Sequence, residues 1–298
     1  MKENFSVVLV HIGPCFYEYL NTCIEQIRRF NNCDIYLILP KKFSHQVKPD
    51  VTIIPAERIK KSKKHDLFLK HTTLDKKFRG GFWQFAVERF FFLEEVIQMF
   101  QLKNIFHLEN DVLLYCDLKK ITKIIDDSNF EIAATFDNDN RCIPGFMFFK
   151  NHHYLSELTK FISINSGVTD MEIIPKFNDL YDCITYFPVI PDNYENELKS
   201  LSGQTTNRRW KYFEHYTKFQ SVFDGAAIGQ FLGGIDPIHR SGDTSGFINE
   251  SALFNVSDFT FSWNKDEKGR NIPYLIYKDE KARINNLHIH CKNLTRFQ

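Results

Sequence analysis

Two carboxylates stand two residues apart directly after a short apolar run, in the triplet Glu109-Asn110-Asp111. The run before them, residues 105–108, has the pattern of a buried strand, and open parallel sheets bind ligands at the carboxyl ends of their strands. Carboxylates held on such a turn are hard oxygen ligands, suited to a Mg²⁺ or Mn²⁺ ion that also carries a diphosphate. The competing interpretation is a solvated acidic turn, because acidic pairs are common at strand ends.

A second candidate group lies near the C-terminus, where His288 and His290 alternate with apolar residues. Side chains two residues apart on a strand share a face, and Lys292 has the same parity if the strand continues. An imidazole is a metal ligand and an ammonium pairs with phosphate oxygens, so this group suits a metal-bound diphosphate. The alternative is a pair of ordinary core or surface histidines beside a basic tail.

Three further residues have both a functional and a structural interpretation. Asp224 opens a helical pattern, where it either caps the helix or presents a carboxylate to substrate hydroxyls. Arg89 interrupts an apolar helix and either extends to the surface or pairs with a carboxylate of the acidic turn. His11 follows the first strand, as a plain turn residue or as a contact to a nucleobase or ribose.

The elements that must position these residues alternate between strands and helices. Apolar runs predict strands over residues 5–10, 34–39, 51–55 and 105–108, and apolar residues resume at 112–114 after the acidic turn. Apolar periodicity predicts helices over 16–30 and 82–102. Strands that are apolar throughout are typical of parallel sheets covered on both faces. The predicted fold class is therefore α/β, with a Rossmann-like, mostly parallel central sheet and helices on both faces.

The alternation continues to about residue 164 and then loosens. Strands are predicted over 132–136 and 145–149, and a helix over 155–164. A later helix over 224–232 ends at Gly233-Gly234 and is followed by a loop rich in Gly, Ser and Asp. Since no linker composition separates the two halves, we predict a single domain over residues 1–298 with an elaborated C-terminal region.

Composition excludes several classes of protein. The 298 residues are 43% hydrophobic and 25% charged, which are ordinary globular values and exclude disorder as the main state. The 38 basic residues balance 37 acidic ones, so the chain has no cationic surplus for binding nucleic acid by bulk charge.

Targeting signals and cysteine usage give a further expectation. No apolar run approaches the length of a membrane span, and the N-terminus has no signal-peptide pattern. The seven cysteines are odd in number and contain no CxxC pair, which favours reduced thiols over a disulfide framework or a zinc ribbon. We therefore expect a cytoplasmic protein without a transmembrane segment.

In their order along the chain, these features resemble the nucleotide-sugar-dependent glycosyltransferases of the GT-A fold, most nearly the retaining, glycogenin-like family 8. Residues 105–114 are similar to the strand and Asp-x-Asp motif of that class, with Glu109 in place of the first Asp. Residues 223–228 are similar to its Asp-Gln-containing helix start. Residues 288–292 are similar to its C-terminal His and Lys, although their spacing is shorter than in the family.

The resemblance implies a divalent cation, Mn²⁺ or Mg²⁺, and a nucleotide-sugar donor, most simply a UDP-sugar. Asp111 would be the chief metal ligand, joined by Glu109 and by His288 or His290. Lys292 would bind the diphosphate, and the sequence does not decide between the two histidines.

The resemblance also implies roles around the transferred sugar. Asp224 would take the acceptor proton if the enzyme inverts, or position the sugar if it retains, and Arg89 would support the site. Asp243 lies in the loop 239–247, whose hydroxyls, carboxylate and glycines are expected to line a sugar pocket. His11 would bind the nucleotide together with Glu109 and Lys292.

The implied activity is transfer of a hexosyl or N-acetylhexosaminyl group to a hydroxyl of a glycan, protein or small-molecule acceptor. Residues 1–150 would form the nucleotide-binding half, and residues 151–298 the acceptor half. A sugar-nucleotide pyrophosphorylase is one alternative, although the segment 11–14 lacks the Gly-rich, Arg- and Lys-bearing sequence expected there. A non-catalytic carbohydrate-binding or scaffold protein is the other.

Overall fold

The computed structural model describes residues 3–298, which form alternating strands and helices around a central sheet. The strands are β1 (Ser6–Val10), β2 (Asp34–Leu39), β3 (Thr52–Pro55), β4 (Ile105–Leu108), β5 (Val112–Leu114), β6 (Ile132–Asn138), β7 (Arg141–Phe149), β8 (Ile184–Tyr186), β9 (Ser221–Val222), β10 (Thr260–Lys265), β11 (Asn271–Tyr277), β12 (Glu280–Ile284) and β13 (Asn286–His288). The helices are α1 (Tyr19–Phe30), α2 (Lys63–His71), α3 (Phe82–Phe100), α4 (Leu118–Asp127), α5 (His152–Ile164), α6 (Asp170–Tyr181), α7 (Tyr216–Phe219) and α8 (Ala227–Gly233).

Seven strands form the central sheet in the order β3-β2-β1-β4-β7-β6-β8. β1 is parallel to β2 and β4, β2 is parallel to β3, and β6 is parallel to β8. β7 alone reverses, because a tight turn joins it to β6 in a hairpin, and it therefore runs antiparallel to β4 and β6. The predicted mostly parallel α/β fold is confirmed, and order and direction place the ends of β1 and β4 side by side.

Helix α1 begins at Tyr19, three residues after its predicted start at Phe16. The preceding turn is held by the ring of His11, whose Nε2–H donates to the carbonyl of Cys15 at 2.8 Å. Phe16 packs against that ring, with centroids 6.0 Å apart, instead of entering the helix. Residues 11–16 therefore form a compact turn directly after β1, at the edge of the sheet where β4 also ends.

The apolar residues 112–114 that follow the acidic turn form the separate strand β5. β5 pairs with β13 in an antiparallel two-stranded sheet, with Val112 opposite His288. A further four-stranded sheet, in the order β10-β11-β12-β9, belongs to the C-terminal half. The C-terminus thus returns to the acidic turn that precedes β5.

Four helices, α2, α4, α6 and α7, were not predicted. Helix α6 contains Pro175, which the sequence suggested as a break. Burial of Ile173, Ile174 and Phe177 stabilises the helix despite the lost backbone hydrogen bond. α6 matters for the site because its first residue, Asp170, is buried and points to α3.

Apolar residues from both predicted halves belong to one continuous core. That residues 1–150 bind the nucleotide and residues 151–298 bind the acceptor stays a prediction. No helix within residues 3–298 is both long and apolar enough to cross a membrane.

Candidate active site

Three side-chain ligand atoms converge at the carboxyl end of β4. The carboxylates of Glu109 and Asp111 and the imidazole of His288 each offer one atom, and these atoms all lie within 4.8 Å of one another. His288 Nε2 is 3.1 Å from Glu109 Oε2 and 3.3 Å from Asp111 Oδ1. Asp111 and His288 are buried, whereas the Glu109 side chain is 23% exposed, so solvent reaches the group from the Glu109 side.

Backbone pairing makes the acidic turn rigid. The Glu109 N–H donates to the Gly145 carbonyl of β7 at 2.9 Å, and the Val112 N–H donates to the Glu109 carbonyl at 3.1 Å. The Asn110 side-chain amide donates to the Val10 carbonyl at 3.2 Å. The two carboxylates are therefore fixed relative to β1, β4 and β7 at once.

Strand β13 brings His288 to this turn. The β5–β13 ladder places His288 opposite Val112, and the Ile289 N–H donates to the Asp111 carbonyl at 2.9 Å. Position 145 has to be glycine for this close approach, since a Cβ there would lie 2.7 Å from His288 Nδ1. Main-chain pairing thus joins residues that lie between 172 and 178 positions apart in the sequence.

The imidazole of His288 directs Nε2 toward the carboxylates. Its Nδ1–H donates to the Gly225 carbonyl at 2.8 Å, so Nε2 faces two anionic oxygens. Burial would lower the pKa of His288, but the charges of Asp111 and Glu109 raise it well above its usual value. A positive centre, a proton or a metal ion, therefore belongs between these three atoms. Two carboxylates and one imidazole form a donor set that fits a divalent cation.

A basic side chain holds the other oxygen of each carboxylate. Arg89 pairs with Glu109 Oε1 and also donates to Asp170 Oδ2 at 2.9 Å. Lys292 pairs with Asp111 Oδ2. Glu109 Oε2 and Asp111 Oδ1 remain directed at His288. Of the two interpretations of Arg89, the structure shows the pairing with a carboxylate of the turn and not extension to the surface.

The surroundings of the turn favour the ionised form of both carboxylates. Burial opposes ionisation, yet Arg89 and His288 hold the pKa of Glu109 below its usual range. Burial likewise opposes ionisation of Asp111, whose pKa is lowered by Lys292 and then by His288. A cation entering the site would therefore meet two negative charges without displacing their protons.

His290 lies outside the ligand group, although its ring is 4.3 Å from that of His288 between centroids. Its Nδ1 accepts a hydrogen bond from Gln230 Nε2 at 3.3 Å. Burial and the charges of His288 and Lys292 hold the pKa of His290 well below its usual value, so the ring is neutral. Its Nε2 is buried and has no hydrogen-bond partner within residues 3–298. Of the two predicted histidines, only His288 meets the carboxylates.

Asp224 is buried, and its carboxylate accepts three backbone hydrogen bonds. Oδ1 accepts from Ile228 at 3.0 Å, and Oδ2 accepts from Gly229 and from His288, each at 2.9 Å. Burial raises its pKa to about 6. These contacts favour the capping interpretation and tie the start of α8 to β13. Because the residue is buried and both carboxylate oxygens are bonded to the main chain, this arrangement does not support the catalytic role expected for Asp224.

His11 is buried at the end of β1, and both of its ring nitrogens are engaged. Nε2 donates to Cys15, and Nδ1 accepts from the Asn110 amide at 3.3 Å. Beside it, Tyr17 is 46% exposed and its ring stacks on Tyr19 at 5.3 Å with an interplanar angle of 10°. His11 therefore links the acidic turn to a surface aromatic pair, which the sequence had not singled out.

Two charged residues that sequence reasoning missed extend the site. Arg79 Nη2 lies 3.0 Å from Asp236 Oδ1, and Asp236 Oδ2 lies 4.0 Å from Lys292 Nζ. Charged side chains therefore form a continuous series of contacts, in the order Arg79, Asp236, Lys292, Asp111, His288, Glu109 and Arg89. The sequence signals were weak, since Arg79 stands directly before a pair of glycines and Asp236 stands two positions after another pair.

Asp243 is exposed, and its Oδ1 accepts a hydrogen bond from the Ser245 N–H at 2.9 Å in a local turn. The loop 239–247 reaches α8 through the Gly246 N–H, which donates to the Phe231 carbonyl at 2.7 Å. The loop is thus held close to Asp236. Its contact with a sugar stays a prediction.

Asp243→Ala is expected to lower turnover with a sugar donor by about tenfold, an effect of ~1.4 kcal/mol on the barrier. Binding of bare UDP, which lacks the sugar, should stay unchanged in calorimetry. A parallel loss of UDP binding would mean damage to the nucleotide site. Unchanged turnover would leave Asp243 as a turn residue only.

No protein-family model matches the chain, and no curated protein matches it. Solved structures do resemble it. Mouse xyloside xylosyltransferase 1 is 8% identical, with 72% of this chain and 92% of that chain covered and a TM-score of 0.46. The galactosyltransferase LgtC is 9% identical, with 61% and 73% covered and a TM-score of 0.41. A putative glucose-1-phosphate thymidylyltransferase from Bacillus anthracis is 11% identical, with 61% and 85% covered and a TM-score of 0.37.

The names of the first two proteins are those of glycosyltransferases. With TM-scores of 0.46 or less, the functional argument rests on the geometry of the site itself.

Proposed function

We propose that this protein is a metal-dependent glycosyltransferase that moves a sugar from a nucleotide-diphosphate donor to a hydroxyl group. The proposal is carried by the convergence of Glu109 Oε2, Asp111 Oδ1 and His288 Nε2 beside the ammonium of Lys292. This group lies where β1 and β4 end, the edge at which open α/β sheets bind nucleotides. The proposed cation is Mn²⁺ or Mg²⁺, and the proposed donor is a UDP-hexose or UDP-N-acetylhexosamine.

The proposed diphosphate lies over Lys292. A divalent cation, when bound, neutralises negative charge that develops on the leaving diphosphate. Lys292 is partly exposed, pairs with Asp111 and more distantly with Asp236, and its Nζ lies 5.7 Å from the centroid of the Tyr19 ring. Its ammonium can therefore turn to phosphate oxygens. The unpartnered Nε2–H of His290 suits a hydrogen bond to the same phosphates.

Two residues position the metal ligands in this proposal. Arg89 fixes Glu109 from one side while Asp170 anchors the guanidinium. Asp224 holds the main chain of His288, and therefore acts through His288 and not on the substrate. Both arrangements leave the ligand atoms oriented before a substrate arrives.

The nucleobase is proposed to lie against Tyr17, the exposed member of the aromatic pair at the start of α1. His11, whose ring nitrogens both have protein partners, would support that surface without a hydrogen bond of its own to the base. The division into a nucleotide-binding half over 1–150 and an acceptor half over 151–298 remains a proposal, as does the cytoplasmic location. The site itself draws on both halves, because β13 supplies His288.

UDP together with Mn²⁺ is expected to raise the thermal unfolding midpoint by several degrees. Ligand at ~100 times its dissociation constant stabilises the folded state by ~2.7 kcal/mol. UDP with EDTA should give a much smaller shift, because the diphosphate then lacks its cation. Differential scanning calorimetry measures both.

The outcome separates the candidate functions. Absence of any shift with UDP and each of the two metals contradicts the proposed donor site. Release of pyrophosphate from UTP and a sugar 1-phosphate would instead indicate the pyrophosphorylase. Binding of UDP and Mn²⁺ without hydrolysis or transfer from a panel of UDP-sugars would indicate the non-catalytic alternative.

A further inference from the structure

A cleft of about 390 Å³ opens between the first turns of α3 and α6 and the turn that joins β6 to β7. Its lining combines one large aromatic ring with amide and charged groups, namely Trp83, Asn138, Asn140, Arg141, Thr169, Met171, Glu172 and Gln204. The volume lies within the range of small-ligand sites. None of these residues was assigned a role by the sequence pattern or by the proposed donor site.

Three structural elements join this cleft to the metal-ligand group. β7 runs from Arg141 in the cleft to Gly145, which contacts His288, a distance of ~13 Å at 3.3 Å per residue. α3 runs from Trp83 in the cleft to Arg89, ~9 Å at 1.5 Å per residue. At the start of α6, cleft residues flank Asp170, the partner of Arg89.

A row of aromatic rings forms a second connection. Trp83 stacks with Phe78 at 6.1 Å, and Phe78 stacks with His239 at 6.4 Å, both with interplanar angles of 18°. His239 begins the loop that lies beside Asp236, whose carboxylate approaches Lys292. An extended ligand in the cleft therefore has an aromatic rim leading toward the reaction centre.

One side of the cleft, the turn between β6 and β7, is anchored by a hydrogen bond, while several other lining side chains are free to bind a ligand. Asn138 donates to the Ser251 carbonyl at 2.9 Å and so anchors the β6–β7 turn. The side chains of Asn140, Glu172 and Gln204 are exposed and make no hydrogen bond or ion pair within residues 3–298. The site thus combines a fixed wall with available amide and carboxylate groups.

We infer that this cleft binds the acceptor and that the acceptor is a neutral saccharide, an inference that rests on the proposed glycosyltransferase function. Sugar rings present an apolar C–H face, which packs on aromatic rings, and hydroxyl edges, which pair with amides and carboxylates. The one basic group, Arg141, lies 3.5 Å from Asp137, and Glu172 adds a further negative charge. Such a cleft has no cationic surplus for a phosphorylated acceptor.

Trp83→Ala tests the inference directly. Transfer from UDP-sugar to the saccharide acceptor should fall by more than tenfold, mainly through a higher acceptor KM. Hydrolysis of the donor by water and binding of UDP with Mn²⁺ should stay unchanged. Trp210→Ala is the matched control, since Trp210 is 49% exposed and lies outside the cleft.

Binding is measured separately by saturation-transfer NMR in the presence of UDP and Mn²⁺. The probes are four neutral disaccharides: lactose, maltose, cellobiose and N,N′-diacetylchitobiose. At least one should receive saturation from wild-type protein and from the Trp210 variant, but not from Trp83→Ala. Gln204→Ala and Glu172→Gln, on the exposed rim, should weaken the same signal without any change in thermal unfolding.

Three results would overturn the inference. One is binding that survives Trp83→Ala together with both rim substitutions. Another is failure of all four disaccharides to bind while UDP and Mn²⁺ do bind. The third is transfer only to a peptide or a phosphorylated acceptor. Failure of UDP and Mn²⁺ to bind contradicts the proposed function instead, and that measurement is independent of the cleft.

Discussion

Asp111→Asn is expected to lower metal-dependent sugar transfer by more than about 100-fold while the fold stays intact. The substitution preserves size but removes one of the two negative charges that face His288 Nε2. Residues that only orient metal ligands typically change affinity or activity by roughly 10–100-fold, so loss of charge at a ligand should cost more. Turnover with saturating UDP-sugar and Mn²⁺, together with calorimetric titration of Mn²⁺, measures the effect.

The matched control is Asp126→Asn, the same change at an exposed residue of α4. It should leave turnover and Mn²⁺ affinity at the wild-type level. Thermal unfolding of both variants shows whether the fold is preserved, because Asp111 also pairs with Lys292. Retention of a tenth of wild-type turnover by Asp111→Asn would place the cation elsewhere.

The central part of this site could be predicted because its signals are local. An apolar strand that ends in two carboxylates identifies both a sheet position and a ligand type within seven residues, and β4 and its turn form as expected. The fold class followed for the same reason, since buried parallel strands read as continuous apolar runs. The reversed direction of β7 was not predicted, because the hairpin turn over residues 138–141 contains no glycine that would mark it.

Contacts between distant segments could not be predicted in the same way. Arg89 meets Asp170 across 81 positions, and helix α6, which presents Asp170, contains a proline that argued against a helix. Arg79 and Asp236 meet only because their two loops pack together. Nothing in the local sequence of either residue specifies its partner. The contacts that join Lys292 to Asp236 and Asp236 to Arg79 therefore could be found only in the folded structure.

The choice between His288 and His290 shows why residue spacing was insufficient. Parity gives both histidines the same face, but β13 ends at His288 and the chain then turns through residues 289–292. His288 remains in register with Val112, so its ring reaches the carboxylates. His290 lies past the end of the strand, where its Nδ1 bonds to Gln230 and its Nε2 has no hydrogen-bond partner within residues 3–298.

His288→Gln and His290→Gln form a matched pair with opposite expected effects. His288→Gln should weaken Mn²⁺ binding by more than about tenfold, because it removes the imidazole from the ligand group. His290→Gln should leave Mn²⁺ affinity unchanged but weaken UDP binding at saturating Mn²⁺ by roughly fivefold, the effect of one hydrogen bond of about 1 kcal/mol. Calorimetry with Mn²⁺ alone, and then with UDP at saturating Mn²⁺, separates the two. The reverse pattern would assign the metal to His290, and equal effects of both substitutions on Mn²⁺ would mean that the two rings act as a single structural unit.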